Sequence, residues 1–307
     1  NDQSLWSKLN LSGRQVPYGF IKKAVQNGCE YLNLCSSWVH GGKKAEEPWK
    51  LKYLEMSQSA DEWDNYAMEV PEGVLQNCHF LQKLAVDHLL LYSCEIEQIC
   101  QNGETLRVLS LGWCSIDIYQ RTESIQKLLT KCHKLTELNL AKSDDFVNLL
   151  DPDVRALVDN LTPSILKLNL SRQPCVTDEH VNTLVRRCNK ITELDLSFTE
   201  ITNDSMESII GHLKSLEKLS VVFTNIDFST LLQLKSIPTL KILCCSFRWP
   251  KEPAKKIKDL KLQLPHIRIN EDYLHIACST KEVNGSIDPD WFWEIKAKQQ
   301  DLFPEAY

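Results

Sequence analysis

The side chains with the clearest chemical potential in this sequence are aromatic and basic, and they recur at regular intervals. Six of them are separated by 24 to 30 positions: Trp113, Lys142, Arg172, Phe198, Phe223 and Phe247. Arginine can pair with phosphate through two hydrogen bonds, and rings can bury flanking side chains, so this set suits a phosphorylated or acidic peptide. Exposed rings with arginine are also typical of binding hot spots. In the alternative interpretation, the C-terminal residues cover these rings and make them part of the core. Both interpretations can apply, with some rings exposed for binding and others covered.

Residues that could catalyse a reaction are poorly arranged. The sequence contains no G-x-S-x-G, P-loop, G-x-G-x-x-G or H-E-x-x-H motif. Cys132 and His133 are helix neighbours that face different directions, and the acidic pairs 46–47 and 144–145 are more typical of solvated loops than of acid–base catalysis. None of the twelve cysteines forms a C-x-x-C motif, and several recur at one place in a repeat. We therefore expect reduced, buried thiols, no metal, no cofactor and no enzyme activity.

A repeat that runs through the chain positions these residues. The template L-x-x-L-x-L, with other apolar residues allowed, begins at Trp6, Cys29, Leu51, Leu81, Leu106, Leu135, Ile165, Ile191, Leu216, Leu240 and Leu264. The starts lie 22 to 30 residues apart, which is the period of leucine-rich repeats. L-x-L alternates as a half-buried strand does, and helical spacing follows it. The sequence predicts an α/β fold, a right-handed leucine-rich-repeat horseshoe of ten to eleven repeats over residues 6–270.

Two positions in each repeat are the most informative. The second residue after the final apolar position falls at the exit of the strand on the concave side, and these residues form what we call the rim column. Its earlier members are Gly13, Ser36, Gln58 and His88, and the six residues named above follow. The next residue is often small and polar, or a thiol, and can hydrogen-bond the turning backbone, as expected for Ser37, Ser59, Cys114, Ser143, Thr199 and Thr224.

Other segments depart from this pattern. Thr177 and Thr202 are expected to begin helices. The segments 35–49 and 57–71 lack helical spacing and are predicted to be loop-like connections. Residues 271–307 carry too many aromatic side chains for a solvated linker, so we expect this tail to pack on the array, with Trp291 and Trp293 bordering the rim column.

Composition excludes several classes of protein. With 43% hydrophobic residues and 25% charged residues, the chain can bury a core and is not disordered. No apolar run approaches the ~20 residues that a membrane span requires. A net charge of −6 argues against a nucleic-acid partner.

Several segments resemble leucine-rich-repeat F-box proteins, the substrate receptors of SCF ubiquitin ligases. Segments 2–6 and 9–13 resemble the end of an F-box entering the first repeat; 183–188, 194–197, 237–241 and 264–270 are similar to late repeats, and 293–296 is similar to the tail of one member. The resemblance covers essentially the whole chain. The repeat alone is generic, whereas the F-box remnant and the tail together are specific.

The resemblance implies a non-catalytic receptor of the nucleus and cytoplasm. Such a receptor binds an adaptor and cullin through its F-box and holds a phosphorylated substrate, such as a cyclin-dependent-kinase inhibitor, on the repeats for ubiquitination and proteasomal degradation. A small kinase-accessory subunit is a further implied partner. The most similar member has Trp at the position of Lys142, whereas this chain has Trp113 one repeat earlier, so the substrate and the accessory subunit are left open.

Two further expectations concern the F-box. The chain begins at Asn1, and residues 1–12 keep only the end of an F-box, so we expect a fragment that does not bind the adaptor. The alternative function is a stand-alone leucine-rich-repeat scaffold or inhibitor without a role in ubiquitin transfer.

Overall fold

The computed structural model describes residues 6–42, 47–57, 68–142, 148–247 and 253–270. In chain order the strands are β1 Lys8–Asn10, β2 Gln15–Pro17, β3 Tyr31–Asn33, β4 Trp38–His40, β5 Tyr53–Glu55, β6 Met68–Glu69, β7 Lys83–Ala85, β8 Leu89–Leu91, β9 Val108–Ser110, β10 Ser115–Ile116, β11 Glu137–Asn139, β12 Lys167–Asn169, β13 Glu193–Asp195, β14 Lys218–Thr224, β15 Ile242–Phe247 and β16 Arg268–Ile269. The α-helices are α1 Tyr18–Gln26, α2 Ser93–Cys100, α3 Arg121–Lys131, α4 Asp151–Asn160, α5 Asp178–Arg187, α6 Asn203–His212, α7 Phe228–Leu231 and α8 Pro253–Gln263. Leu75–Asn77 and Leu232–Ser236 form 3₁₀ turns.

One parallel sheet runs the length of the described residues. Its eleven strands follow chain order: β1, β3, β5, β7, β9, β11, β12, β13, β14, β15 and β16. Each of the eleven predicted templates corresponds to one of these strands, so the predicted solenoid is confirmed. Strand β16 is offset by two residues from the predicted template, because Leu243 pairs with Ile269 rather than with Ile267. From β1 to β15, neighbouring strands pair with their central leucines in register, as Leu138 does with Leu168 and Leu168 with Leu194. The same position of successive repeats therefore lies in one column.

The leucines on one side of the sheet pack against the helices. Leu138, Leu168 and Leu194 are at most 2% exposed, and they belong to one apolar core that extends from Leu11 to Ile269. The helical spacing that follows the strand template corresponds to helices in the middle of the chain, α2 to α6. No helix in the described part of the chain has both the length and the hydropathy that crossing a membrane requires.

The small residue after the rim position bonds the turning backbone, as predicted. Four of these residues donate to a backbone carbonyl at 2.6 to 2.9 Å: Ser37 to Leu11, Cys114 to Val86, Thr199 to Leu196 and Thr224 to Val221. These bonds satisfy carbonyls that would otherwise be buried without a partner. Ser59 and Ser143 lie outside the described residues.

Both predicted helix starts are found. Thr202 precedes α6, and its Oγ1 accepts a hydrogen bond from the N–H of Asp204 at 3.3 Å. Thr177 precedes α5, and its N–H donates to Nδ1 of His180 at 3.3 Å. Such bonds satisfy polar groups that a helix start leaves without intrahelical partners.

Two segments predicted to be loop-like contain short strands. Within residues 35–49, strand β4 pairs with β2, and within residues 57–71, strand β6 pairs with β8. Of these strands, β2 and β8 each lie between a strand of the main sheet and the α-helix that follows it. These short strands carry no pattern that recurs along the chain, whereas the equally short strands of the main sheet are marked by the recurring template.

The described cysteines act mainly as packing residues. Seven are buried as free thiols: Cys29, Cys78, Cys114, Cys132, Cys188, Cys244 and Cys245. Burial raises the pKa of the Cys29 thiol to about 11, so this thiol is protonated at neutral pH.

Candidate functional site

The rim column has an unusual backbone conformation. Seven of its described members have φ between +50° and +67°: Gly13, Ser36, His88, Trp113, Arg172, Phe198 and Phe223. In this conformation the backbone N–H points to the next repeat, as that of Arg172 does to the carbonyl of Ser197 at 2.8 Å. The fold therefore needs a left-handed residue here. Glycine provides that conformation at lower cost than a bulky side chain. Each large residue of this column therefore carries a conformational cost that glycine would not.

Arg172, Phe198 and Phe223 form one continuous stack, which we call the late stack. The guanidinium carbon of Arg172 lies 4.3 Å from the ring centroid of Phe198, and that ring lies 4.9 Å from the ring of Phe223 at 28°. All three side chains are half-buried. Contact with the ring fixes the plane of the guanidinium, whose planar fork of N–H donors matches carboxylate or phosphate.

A buried carboxyl group contributes to the electrostatics of the late stack. Asp195 is 3% exposed, and its Oδ1 accepts a hydrogen bond from the N–H of Ser197 at 2.8 Å. Burial raises the pKa of Asp195 to about 6, while hydrogen bonds from Ser197 and Ser220 and the charge of Arg172 oppose this rise. Asp195 is therefore largely ionised at neutral pH. Its charge and the ring of Phe198 together favour one orientation of Arg172.

A second stack lies earlier in the rim column. The rings of His88 and Trp113 are 4.7 Å apart at 21°. Burial, and secondarily the charge of Lys142, lowers the pKa of His88 to about 4. A neutral imidazole therefore stacks on the indole at physiological pH, and the pair acts as an aromatic surface rather than a cationic one.

Lys142 does not belong to the exposed surface, contrary to the sequence-based expectation. Its side chain is 4% exposed, and Nζ donates to the carbonyl of Cys114 at 2.5 Å. Burial is the main cause that lowers the pKa of Lys142 to about 8; Cys114 opposes this shift and the charge of Arg121 adds to it. The expected basic pair of Lys142 and Arg172 is therefore absent from the surface. The long side chain reaches back to the previous repeat, a direction that residue spacing does not reveal.

The remaining predicted site residues lie at the end of a strand or outside the described residues. Phe247 is the last residue of β15. Trp291 and Trp293 lie outside the described residues, as does Gln58. The structure thus brings together three predicted residues in the late stack and places Trp113 in the earlier one.

A second column, which we did not predict from the sequence, consists of the first residue of each strand in the main sheet. We call it the strand column. In β11 to β14 its charges alternate, because Glu137, Lys167, Glu193 and Lys218 pair in register. The ammonium of Lys167 lies 3.6 and 3.5 Å from the two carboxylates, and that of Lys218 lies 3.1 Å from Glu193. In the sequence, the members of this column are the residues that precede the middle leucine of each template, as Glu137 precedes Leu138. The sheet surface beside the late stack is therefore polar and close to neutral.

Comparison with known proteins assigns the chain to a family. The sequence matches the SKP2 LRR domain over residues 19–300, which is most of its length. The chain belongs to the SKP2 leucine-rich-repeat family. This SKP2-type chain also resembles a chain of the crystal structure of the Rad7 and Elc1 complex in yeast, with a TM-score of 0.55 and 14% sequence identity over 82% of this chain and 66% of that one. At this identity the likeness concerns the fold alone. This SKP2-type chain spans slightly less than two thirds of the other's length.

The SKP2-type array provides chemistry for binding. An oriented guanidinium beside two rings can pair with an anion through two hydrogen bonds while the rings bury apolar neighbours of that anion. In the described residues, no group of three or more His, Cys, Asp or Glu side chains is placed to hold a metal ion. The late stack is therefore the best candidate for recognition of a charged peptide.

Proposed function

We propose that this chain is the substrate-recognition array of an SCF-type ubiquitin ligase. A phosphorylated protein substrate binds on the concave side of the repeats and is held there for ubiquitination and degradation. The array supplies no catalytic group, and a separately recruited conjugating enzyme transfers ubiquitin. Membership of the SKP2 family supports this class of receptor. The late stack carries the proposal for the site, because its three bulky side chains occupy left-handed positions and lie in contact.

The late stack defines how the substrate binds. A phosphate accepts two hydrogen bonds from Arg172, and the apolar residues next to it pack on Phe198 and Phe223. A charge-assisted pair of this kind is worth about 1.5–3 kcal/mol, which corresponds to a roughly tenfold to hundredfold change in affinity. Trp113 lies two strands earlier, about 10 Å away along the sheet, and provides a second anchor for a longer segment.

Assembly of the ligase requires a further module. We assign adaptor and cullin binding to an F-box, whose end residues 2–6 resemble. A small kinase-accessory subunit, a substrate from the cell-cycle machinery and a location in the nucleus and cytoplasm belong to the same proposal. Family membership is what supports them.

The class of function is tested by affinity capture. The bait is the chain extended at its N-terminus by the upstream coding residues. Adaptor and cullin are expected to co-purify, and capture of substrates is expected to fall after phosphatase treatment of the extract. A stand-alone scaffold would capture partners without adaptor or cullin, and that result would overturn the proposal.

The site is tested with variants of the same bait. Arg172→Ala and Phe198→Ala are expected to reduce capture of the phosphatase-sensitive proteins by roughly tenfold or more, without loss of adaptor. Arg155→Ala is the matched control, because Arg155 is exposed on α4 and pairs with Asp151 and Glu179 far from the rim. Unchanged capture by both rim variants, with folding intact, would refute the site.

A further inference from the structure

Two cysteine side chains of neighbouring repeats are in contact on the helix side of the array. Cys100 is the last residue of α2, and Cys132 directly follows α3. These helices belong to adjacent repeats, because the strands that precede them in the main sheet, β7 and β9, pair in parallel. Both residues are free thiols, and the thiol of Cys132 donates a hydrogen bond to the sulfur of Cys100. We call these two residues the thiol pair.

The backbone around the thiol pair packs the ends of the two helices closely. Gly103 lies in the turn after α2, and its N–H donates to the carbonyl of Cys100 at 3.0 Å. A Cβ at Gly103 would lie 3.2 Å from that same carbonyl oxygen and would overlap the carbonyl of the last residue of α3. An ion pair of 2.5 Å between Lys127 and Glu97 also joins α3 to α2. The fold therefore keeps the two helix ends, and with them the two thiols, in close approach.

The two thiols differ in their access to solvent. Cys132 is 0% exposed, whereas Cys100 is partly exposed. A reagent from solvent therefore reaches Cys100 first, and Cys132 can react only with a group that Cys100 presents to it. The buried thiols of Cys29 and Cys78, by contrast, donate to backbone carbonyls at 3.2 and 3.3 Å.

The surroundings of Cys100 favour its thiolate. The hydrogen bond from Cys132 is the main cause that lowers the pKa of Cys100, and burial opposes it. The charges of Lys127 and Lys131 lower this pKa further, while Glu97 acts in the opposite direction. The two lysines also offset the negative end of α2, which disfavours an anion. The same hydrogen bond, together with burial, raises the pKa of Cys132, so this thiol keeps its proton. Because the thiolate is the nucleophile, Cys100 is the residue that attacks.

We propose that the thiol pair is a redox site that reacts with a hydroperoxide and forms a reversible disulfide. The Cys100 thiolate attacks one oxygen of the hydroperoxide, the O–O bond breaks, and the other oxygen leaves with a proton as water or an alcohol. Two electrons pass from the sulfur to the peroxide, and Cys100 becomes a sulfenic acid. The Cys132 sulfur then attacks the Cys100 sulfur, and the S–O bond breaks. The leaving hydroxide takes the thiol proton of Cys132 and forms water.

The arrangement matches that of redox-sensor cysteines, in which an accessible thiol of lowered pKa lies beside a resolving thiol. Sulfurs in hydrogen-bond contact need only a small movement to reach the disulfide length of about 2 Å. The bond closes a loop that contains β9 and α3, and it joins the two repeats that carry the His88–Trp113 stack. Each repeat of a solenoid contacts only its neighbours, so the restraint is local. Oxidation therefore restrains the earlier part of the rim column, and this site is independent of the proposed role in ubiquitin transfer.

The proposal is tested by treating the reduced, folded chain with hydrogen peroxide and alkylating the remaining thiols before mass spectrometry. We expect a loss of two hydrogens per chain and one peptide pair cross-linked through Cys100 and Cys132, both reversed by dithiothreitol. The cross-link should raise the melting temperature by roughly 5–10 °C, because it closes a loop in the unfolded chain. Absence of the cross-link, with Cys100 still open to alkylation, would overturn the proposal. Oxidation of the exposed Cys94 before the thiol pair would overturn it as well.

Variants separate the roles of the two thiols. Cys132→Ala should leave Cys100 as a sulfenic acid that dimedone traps, because the resolving thiol is gone. Cys100→Ser should abolish the cross-link and leave Cys132 unmodified, and its partly exposed position makes this the variant that folds even if Cys132→Ala does not. Cys94→Ser is the matched control, because Cys94 is an exposed thiol of the same helix, and it should leave the cross-link unchanged. Circular dichroism verifies that each variant is folded. Oxidation of Cys132 in Cys100→Ser at the wild-type rate, or loss of the cross-link in Cys94→Ser, would show that the roles are wrongly assigned.

Discussion

Replacement of Glu55 by glutamine should change the pH dependence of stability. The carboxyl group is 6% exposed and accepts a weak hydrogen bond from Sγ of Cys35 at 3.6 Å. Burial is the main cause that raises the pKa of Glu55 from 4.5 to about 8, and the charge of Asp87 adds to it. The folded protein therefore binds this proton more tightly than the unfolded chain does. The free energy of unfolding must consequently fall as pH rises from about 4.5 to about 8.

The size of this effect follows from the two pKa values of Glu55. One pH unit of differential protonation corresponds to about 1.36 kcal/mol, so ionisation of Glu55 lowers the free energy of unfolding by on the order of 3 kcal/mol between about pH 5 and about pH 8. Glutamine at this position keeps the size and the acceptor oxygen but cannot ionise. The stability advantage of Glu55→Gln over the wild type should therefore grow by the same amount across that range.

Chemical denaturation followed by circular dichroism at the two pH values measures this advantage. Glu30→Gln is the matched control, because Glu30 is 41% exposed and its pair with Lys52 is worth at most about 1 kcal/mol. An advantage of Glu55→Gln that is the same at both pH values would show that the Glu55 carboxyl is well solvated in the folded protein, and it would refute the reasoning.

Three further predictions concern stability and the site. Arg121→Ala should lower the free energy of unfolding by about 3–5 kcal/mol in urea denaturation, since Arg121 and Asp153 form a pair at 2.7 Å with both side chains 4% exposed. Gly103→Ala should lower the melting temperature, because the added Cβ would overlap the carbonyl oxygen of the last residue of α3. Gly211→Ala in α6 is the control: its added Cβ meets no atom within 4 Å, so the free energy of unfolding should rise by about 0.5–1 kcal/mol. Lys142→Met should leave capture of phosphatase-sensitive proteins within about twofold of wild type, because the ammonium is buried; a loss as large as that of Arg172→Ala would contradict this.

The repeat template was sufficient to locate the sheet. Its leucines recur at positions that must be buried, so every predicted template coincides with a strand of the main sheet. The small residue beyond the rim was also predictable, since the turning backbone needs a partner there, as Cys114 and Thr199 provide. The short strand pairs in the turns were not predictable, because their residues do not recur at a fixed place in the repeat as the leucines of the main sheet do.

The candidate site was only partly predictable. The common place in the repeat identified Arg172, Phe198 and Phe223. Their contacts depend on strands that pair in register, and templates of variable spacing do not specify that register. The stack of the Tyr31 and Tyr53 rings was missed for the same reason, since these rings meet only when their strands pair without offset. Lys142 shows the opposite error, because its place in the column was correct and the direction of its side chain was not.

The most direct test of substrate recognition by the late stack is a reconstituted ubiquitination assay. The N-terminally extended chain is assembled with adaptor and cullin, and a phosphatase-sensitive protein identified by capture serves as the substrate at a concentration below its Kd. We predict that Arg172→Ala lowers the initial rate of substrate ubiquitination by roughly tenfold to a hundredfold, while Arg155→Ala leaves it unchanged. Equal rates for wild type, Arg172→Ala and Phe198→Ala, with all three chains folded and bound to adaptor, would contradict the account.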